Sequence, residues 1–176
     1  CAALLLGTLL FAQRPALDPA NPMDKQVLAY YQAKDWPGLA DHFETMGARD
    51  RGRFLYLWFQ SLHHAQRWER LLAVCEAVIP QLEAKSGPRI SEARALRALA
   101  LSRLGRHAEA MAAHGENGRL GLATGFESAC SEAQALQDWG SLVTYAEALA
   151  KTRPGLGLSL KGEALAKQLK FAEAEP

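Results

Sequence analysis

Four short stretches share one layout: KDWPGLADHFE from Lys34, QRWERLLAVCE from Gln66, GRHAEAMAAHG from Gly105 and QDWGSLVTYAE from Gln137. Each has two polar or small residues, then Trp or His, then an apolar residue three places further on. This repetition constrains the fold more than any single residue does, because a fixed period means that one structural unit recurs and its neighbours cover its exposed faces. With Trp36, Trp68, His107 and Trp139 as anchors, the intervals are 32, 39 and 32 residues, and Phe171 stands 32 further on as a candidate fifth anchor. The long interval contains the turn cluster KSGPR at 85–89, which lengthens one connection and leaves the units on either side intact.

The positions around the anchors repeat as well. Thirteen residues before them stand Met23, Leu55, Arg94, Phe126 and Leu158, and six before stand Tyr30, Leu62, Leu101, Ala133 and Leu165. Three after the first four come Leu39, Leu71, Ala110 and Leu142. These trace apolar stripes on two helices, one ending ahead of each anchor and one starting at it, so each unit reads as a helical hairpin. VLAYYQAK and LYLWFQSLHH supply first helices; RLLAVCEAVIPQLEA and SLVTYAEALAKTRPG supply second ones. No sustained period-two alternation occurs, and the fold class is all-α: a solenoid of about four to five antiparallel hairpins. A single hairpin cannot bury both of its faces, so the anchors are expected to act as buried wedges between successive pairs.

The copy FESACSEAQALQDWGSLVTYAEALAKTRP resembles the tetratricopeptide repeat family, whose period is 34 residues. Phe126, Ala129, Ala133, Trp139, Leu149 and Pro154 fall where that pattern wants them, and the resemblance covers residues 23–176. Ala98, Cys130 and Gly162 supply the small residue at the helix-crossing position. Val27 and Phe59 replace it in the first two units, and Leu39, Leu71 and Leu142 stand where the family prefers Ala. The resemblance implies a non-enzymatic scaffold that docks a partner protein or peptide in a concave groove lined by the first helices. Arg53, Tyr56, Gln60 and His63, spaced three, four and three apart, would share one helix face in that groove. Tyr31, Arg103, Glu127 and Gln134 occupy equivalent places in the other units. A surface mixing Tyr, Arg and Gln offers both contact area and directional bonds, although an ordinary solvated face has the same composition.

The chain opens on CAALLLGTLLFAQ at 1–13, followed by a Pro-rich stretch at 14–22 read as a linker. A buried helix of a soluble domain suits the run poorly, because Pro15, Pro19 and Pro22 follow it directly; a signal-peptide-like segment, a truncated membrane anchor or, least suitably, a lipidated start at Cys1 suits it better. Each of the last three alternatives puts the rest of the chain at or across a membrane. The expectation is therefore a membrane-associated or exported protein, the bacterial periplasm being the natural exported compartment, with the side of the membrane open.

Twenty Lys and Arg against nineteen Asp and Glu leave a formal charge of +1, which gives no field toward nucleic acid. Arg89, Arg94, Arg97, Arg103 and Arg106 point to nearly every side of a helix and form no stripe. Cys1, Cys75 and Cys130 lack C-x-x-C spacing, and the latter two lie in apolar helical patterns that suit core packing. His63 and His64 are adjacent rather than four apart, and His107 and His114 lack a third ligand between them, so neither pair reads as a metal site. GENGRLGLATG and PGLGLSLKG do not match a phosphate-binding loop, and no cofactor is expected. Two rival readings stay open. One makes the chain the helical-repeat tail of a membrane enzyme such as a rhomboid-type intramembrane serine protease, with catalysis upstream. The other is a helical enzyme working through Glu and His in a deep pocket.

Overall fold

The computed structural model describes residues 17–84 and 89–174. The apolar segment at 1–13, the first part of the Pro-rich stretch and most of the KSGPR turn cluster lie outside the described residues. Ten α-helices and no strand occur among the described residues: α1 (Pro22–Ala33), α2 (Trp36–Thr45), α3 (Ala48–Arg53), α4 (Leu55–His64), α5 (Trp68–Ala84), α6 (Ile90–Arg103), α7 (His107–Arg119), α8 (Gly125–Leu136), α9 (Trp139–Ala150) and α10 (Pro154–Ala174). The fold is all-α. The chain divides into two compact units, one through Leu71 and one from Leu72.

The repeated sentence has one structural meaning. Every anchor is the first residue of a helix: Trp36 of α2, Trp68 of α5, His107 of α7 and Trp139 of α9. Two residues earlier the backbone is left-handed each time, with φ of 54° at Lys34, 56° at Gln66, 73° at Gly105 and 56° at Gln137. The N–H of that residue donates to the carbonyl three back, at Tyr31, His63, Ser102 and Gln134, over 3.2, 3.1, 3.0 and 3.1 Å. The next N–H donates to the carbonyl five back, at Tyr30, Leu62, Leu101 and Ala133, over 3.1, 2.9, 2.9 and 2.9 Å. These paired bonds are a Schellman motif, which satisfies carbonyls that a helix end leaves open. The residue before each anchor then starts the next helix through its carbonyl, and Asp35 and Asp138 add a side-chain cap on the N–H groups of Gly38 and Ser141. "Two polar or small residues, then a ring" therefore encodes a tight bend between two helices.

The burial pattern corrects the expected role of the anchors. Leu39, Leu71, Ala110 and Leu142, one turn into each second helix, are completely buried. The anchor rings themselves are half-buried. The first residue of a helix lies at the end of the hairpin, where its side chain covers the rim, whereas the residue one turn on faces the layer below. The central wedge is thus the residue one turn in, and the ring stays half-buried at the end of the hairpin.

In the first unit α2 packs on α1 and α4, around Val27, Leu39, Phe43, Phe54, Phe59 and Leu62. In the second, consecutive helices from α6 to α10 pack on one another. Cys130, Ala133, Leu142, Ala146, Leu149 and Ala164 form a core there, edged by Met111, Phe126, Trp139 and Tyr145. Of the small residues expected at helix crossings, Ala98 and Cys130 are buried, but Gly162 is exposed with open space beside it. The close approach falls instead at Gly157, where an added Cβ would meet the Ala146 carbonyl oxygen at 2.6 Å and the backbone of Ala150.

Four of the expected hairpin bends are present, and the fifth is not. α10 runs unbroken through residue 171, with no turn ahead of it. Pro22, counted with the linker, is instead the first residue of α1, capped by the Asn21 side chain, because proline's fixed φ suits that position. The helix read through Gly155 stops at Ala150, and Pro154 opens the next one.

Candidate functional site

The two bends of the first unit bring a row of rings together. Tyr31, on the last turn of α1, meets the edge of Trp36 at 5.5 Å. Trp36 stacks on His64 at 4.5 Å with an interplanar angle of 24°. His64 meets His63 edge-on at 5.1 Å, and His63 meets Trp68 edge-on at 5.4 Å. The sequence positions each member: Trp36 and Trp68 open helices, and His63 and His64 close α4 immediately before its left-handed bend. Four of the five rings are half-buried and His64 is exposed. The cover of Trp36 removes water from one face of the His64 ring, and this burial holds its imidazole below the usual range. The His64 imidazole, stacked on the Trp36 indole and edge-on to His63, offers an amphipathic contact surface, with apolar faces and polar ring edges.

The expected groove residues separate into different surroundings. Tyr31 and His63 belong to this row. Tyr56 does not line a surface: it is 4% exposed, and its hydroxyl oxygen accepts a bond from Gln60 Nε2 at 2.8 Å. Arg53 does not continue the face of Tyr56 and Gln60, since Phe54 breaks the backbone between α3 and α4. Its guanidinium instead reaches Asp24 Oδ2 at 2.6 Å, a fully buried carboxylate that also accepts the Asp18 N–H. The ion pair satisfies a charge that burial would otherwise make costly.

In the second unit, Glu127 on α8 pairs with Arg153, and Gln134 donates to Glu163 of α10 at 3.0 Å. The packing of α9 and α10 beside α8 engages both side chains within the unit. Arg103 is exposed at the end of α6. The sequence pointed to Trp36 and Trp68 as interior wedges and passed over them as surface residues. The signal that could have placed them at the rim is their position immediately after the polar bend pair.

The second unit also holds a cleft of about 250 Å³ between α5, α6 and α7, floored by Ile79, Pro80 and Ala113. Arg94 and Arg97, three apart on α6, face it, and both are spoken for by ion pairs to Glu83 at 2.6 Å and Glu76 at 3.7 Å. Elsewhere, His107 Nδ1 lies 2.7 Å from Oε2 of the buried Glu132. Burial holds the nearby His114 imidazole below its usual range, against the upward pull of Glu132. No group of three His, Cys, Asp or Glu side chains that could hold a metal ion occurs among the described residues. Cys75 and Cys130 are buried free thiols pushed up to about 12 and about 11 by burial, so they remain protonated and pack as small apolar groups.

Glu92, on the first turn of α6, carries a testable consequence. Burial pushes its carboxyl up to about 7, against the lowering effect of Arg89. A raised carboxyl contributes its stability below the ordinary carboxylate range, and that contribution is lost as pH rises through about 7. Glu92→Gln is therefore expected to stabilise the protein by about 1–2 kcal/mol at pH 8 and by little at pH 5, allowing for its partial solvent contact. Denaturant melts of both proteins at the two pH values check this; an equal difference at both would contradict it.

No protein-family model, curated protein or solved structure matches this chain. Among the described residues no helix is long and apolar enough to cross a membrane.

Proposed function

We propose that the chain is a docking scaffold, a degenerate tetratricopeptide-like array of helical hairpins that captures a partner protein or peptide on the ring row of its first unit. The observation that carries this reading is the row itself: Tyr31, Trp36, His64, His63 and Trp68 in edge and stacked contact along two consecutive bends, none of them fully buried. Aromatic side chains supply much of the binding energy at protein interfaces, because a rigid ring offers large area at small entropic cost. The recurrence of one bend geometry at Lys34, Gln66, Gly105 and Gln137 favours the helical-repeat reading, and with it a scaffold over a catalyst. Tethering or export would depend on the apolar segment at 1–13, which brings the scaffold to a membrane or across one.

The test is a photo-crosslinking amino acid at position 32, beside Tyr31, where the side chain is exposed and substitution leaves every ring of the row in place. A partner crosslinked there should be recovered about thirtyfold less when Trp68→Ala is added, since losing one interface hot spot costs roughly 2 kcal/mol. Far-UV circular dichroism should show the helices intact. Recovery of the same partner at the same yield from the Trp68→Ala protein would remove the ring row from the binding surface.

A further inference from the structure

The cleft between α5, α6 and α7 in the second unit joins an apolar floor to polar groups whose bonding is incomplete. Ile79, Pro80 and Ala113 make the floor. Its volume of about 250 Å³ falls below the roughly 300 Å³ at which drug-sized sites begin, so it suits a molecule the size of one amino acid. Asn117 of α7 lines the cleft although it is only 4% exposed. Its Nδ2 donates to the Arg94 carbonyl at 3.3 Å, and its Oδ1 accepts nothing among the described residues. Glu116, beside it, also lines the cleft, and its carboxylate has neither an ion pair nor a hydrogen bond among the described residues. Pro80 interrupts the hydrogen-bond ladder of α5 at this wall, because a residue without an N–H gives nothing to the Glu76 carbonyl. The cations are unevenly satisfied. Arg94 reaches Glu83 at 2.6 Å, whereas Arg97 lies 3.7 Å from Glu76, near enough for attraction and too far for a hydrogen bond. The Arg97 guanidinium donates to no described residue.

We propose that this cleft binds a free aliphatic α-amino acid as its zwitterion, with the ammonium at Glu116 and Asn117 Oδ1, the carboxylate at Arg97, and the side chain on Ile79, Pro80 and Ala113. An ammonium carries three donors and no acceptor, which matches oxygens that lack donors. A carboxylate matches the planar fork of a guanidinium. Neither charge suffices alone. A simple anion would sit beside the unpaired Glu116 carboxylate, and a simple cation would sit beside the loosely held Arg97. The lining holds three carboxylates, at Glu76, Glu83 and Glu116, against two guanidiniums, so its field is nearly balanced and favours a ligand of no net charge. The ring row belongs to the first unit and takes no part, so the two proposals are read separately.

Heteronuclear NMR of the labelled full chain, titrated with L-leucine to about 20 mM at about pH 7, should give a Kd of about 1 mM or tighter. The amide shifts should map to 76–83, 94–97 and 113–117, where the three helices line the cleft. L-leucinamide lacks the carboxylate, N-acetyl-L-leucine lacks the ammonium and glycine lacks the apolar side chain; each should bind roughly tenfold more weakly or worse. Arg97→Gln should weaken L-leucine by a similar factor and leave L-leucinamide unchanged. Glu116→Gln should weaken L-leucine and leave N-acetyl-L-leucine unchanged; this side chain is exposed, so the fold should be spared. The ligand comparisons use the unaltered chain and decide the question even where a variant unfolds. An absence of shifts up to 20 mM, shifts confined to other residues, or equal affinity for L-leucine and L-leucinamide overturns the proposal.

Discussion

Leu142→Ala is expected to destabilise the second unit by about 2–5 kcal/mol, and Trp139→Ala by less, although indole is the larger side chain. Leu142 is completely buried in the core made by Cys130, Ala133, Ala146, Leu149 and Ala164, so its truncation leaves a cavity with no route to solvent. Trp139 is half-buried at the rim of the same core. Its loss exposes apolar surface to water that can enter, which costs transfer energy but little cavity energy. Total stabilities of roughly 5–15 kcal/mol mean that the Leu142 change alone removes a large fraction of what holds such a unit together. Denaturant titrations followed by circular dichroism, with hydrogen exchange read over α8 to α10, would rank the two. A larger loss for Trp139→Ala would restore the indole as the central wedge.

Gly157→Ala should likewise be destabilising, by about 1–3 kcal/mol, despite alanine's better helix propensity. The added methyl would meet backbone atoms of α9, at 2.6 Å from both the Ala146 oxygen and the Ala150 Cα, and backbone cannot swing aside as a side-chain tip can. The two helices would have to part, loosening the contacts of Leu156, Leu160 and Ala164 with the core. Gly140→Ala is the control. A Cβ there meets only Asp138 Oδ1, at 3.6 Å, so that change should be neutral or stabilising by up to about 1 kcal/mol. Thermal melts of the two variants should move in opposite directions; a stabilised Gly157→Ala protein would mean that α10 does not press on α9 through this glycine.

The candidate site was half legible. Tyr31 and His63 are legible from their place on the first helices, and both lie in the ring row. Spacing puts Tyr56 and Arg53 on one face, whereas the structure buries the Tyr56 ring and turns the Arg53 guanidinium to Asp24. Spacing assumes an unbroken helix, and Phe54 interrupts this one. Spacing also cannot tell which side of a helix a neighbour will cover: α4 packs against α2, and the Tyr56 ring is buried. Spacing likewise says nothing of the partners of Glu127 and Gln134, which are Arg153 and Glu163.

What the sequence determined by itself was the helical class and the placement of four bends. Both depend on neighbours within about six residues: a left-handed residue, a carbonyl cap and a ring that begins the next helix. Only the tertiary structure decided how deep each residue lies. It buried the residue one turn after each ring more deeply than the ring, raised the Glu92 carboxyl, and left the leucines of α10 exposed although their register matched buried ones. Depth is set by which distant helix arrives on a face. No local period carries that information, because the same stripe serves equally well for packing within the chain or against another one.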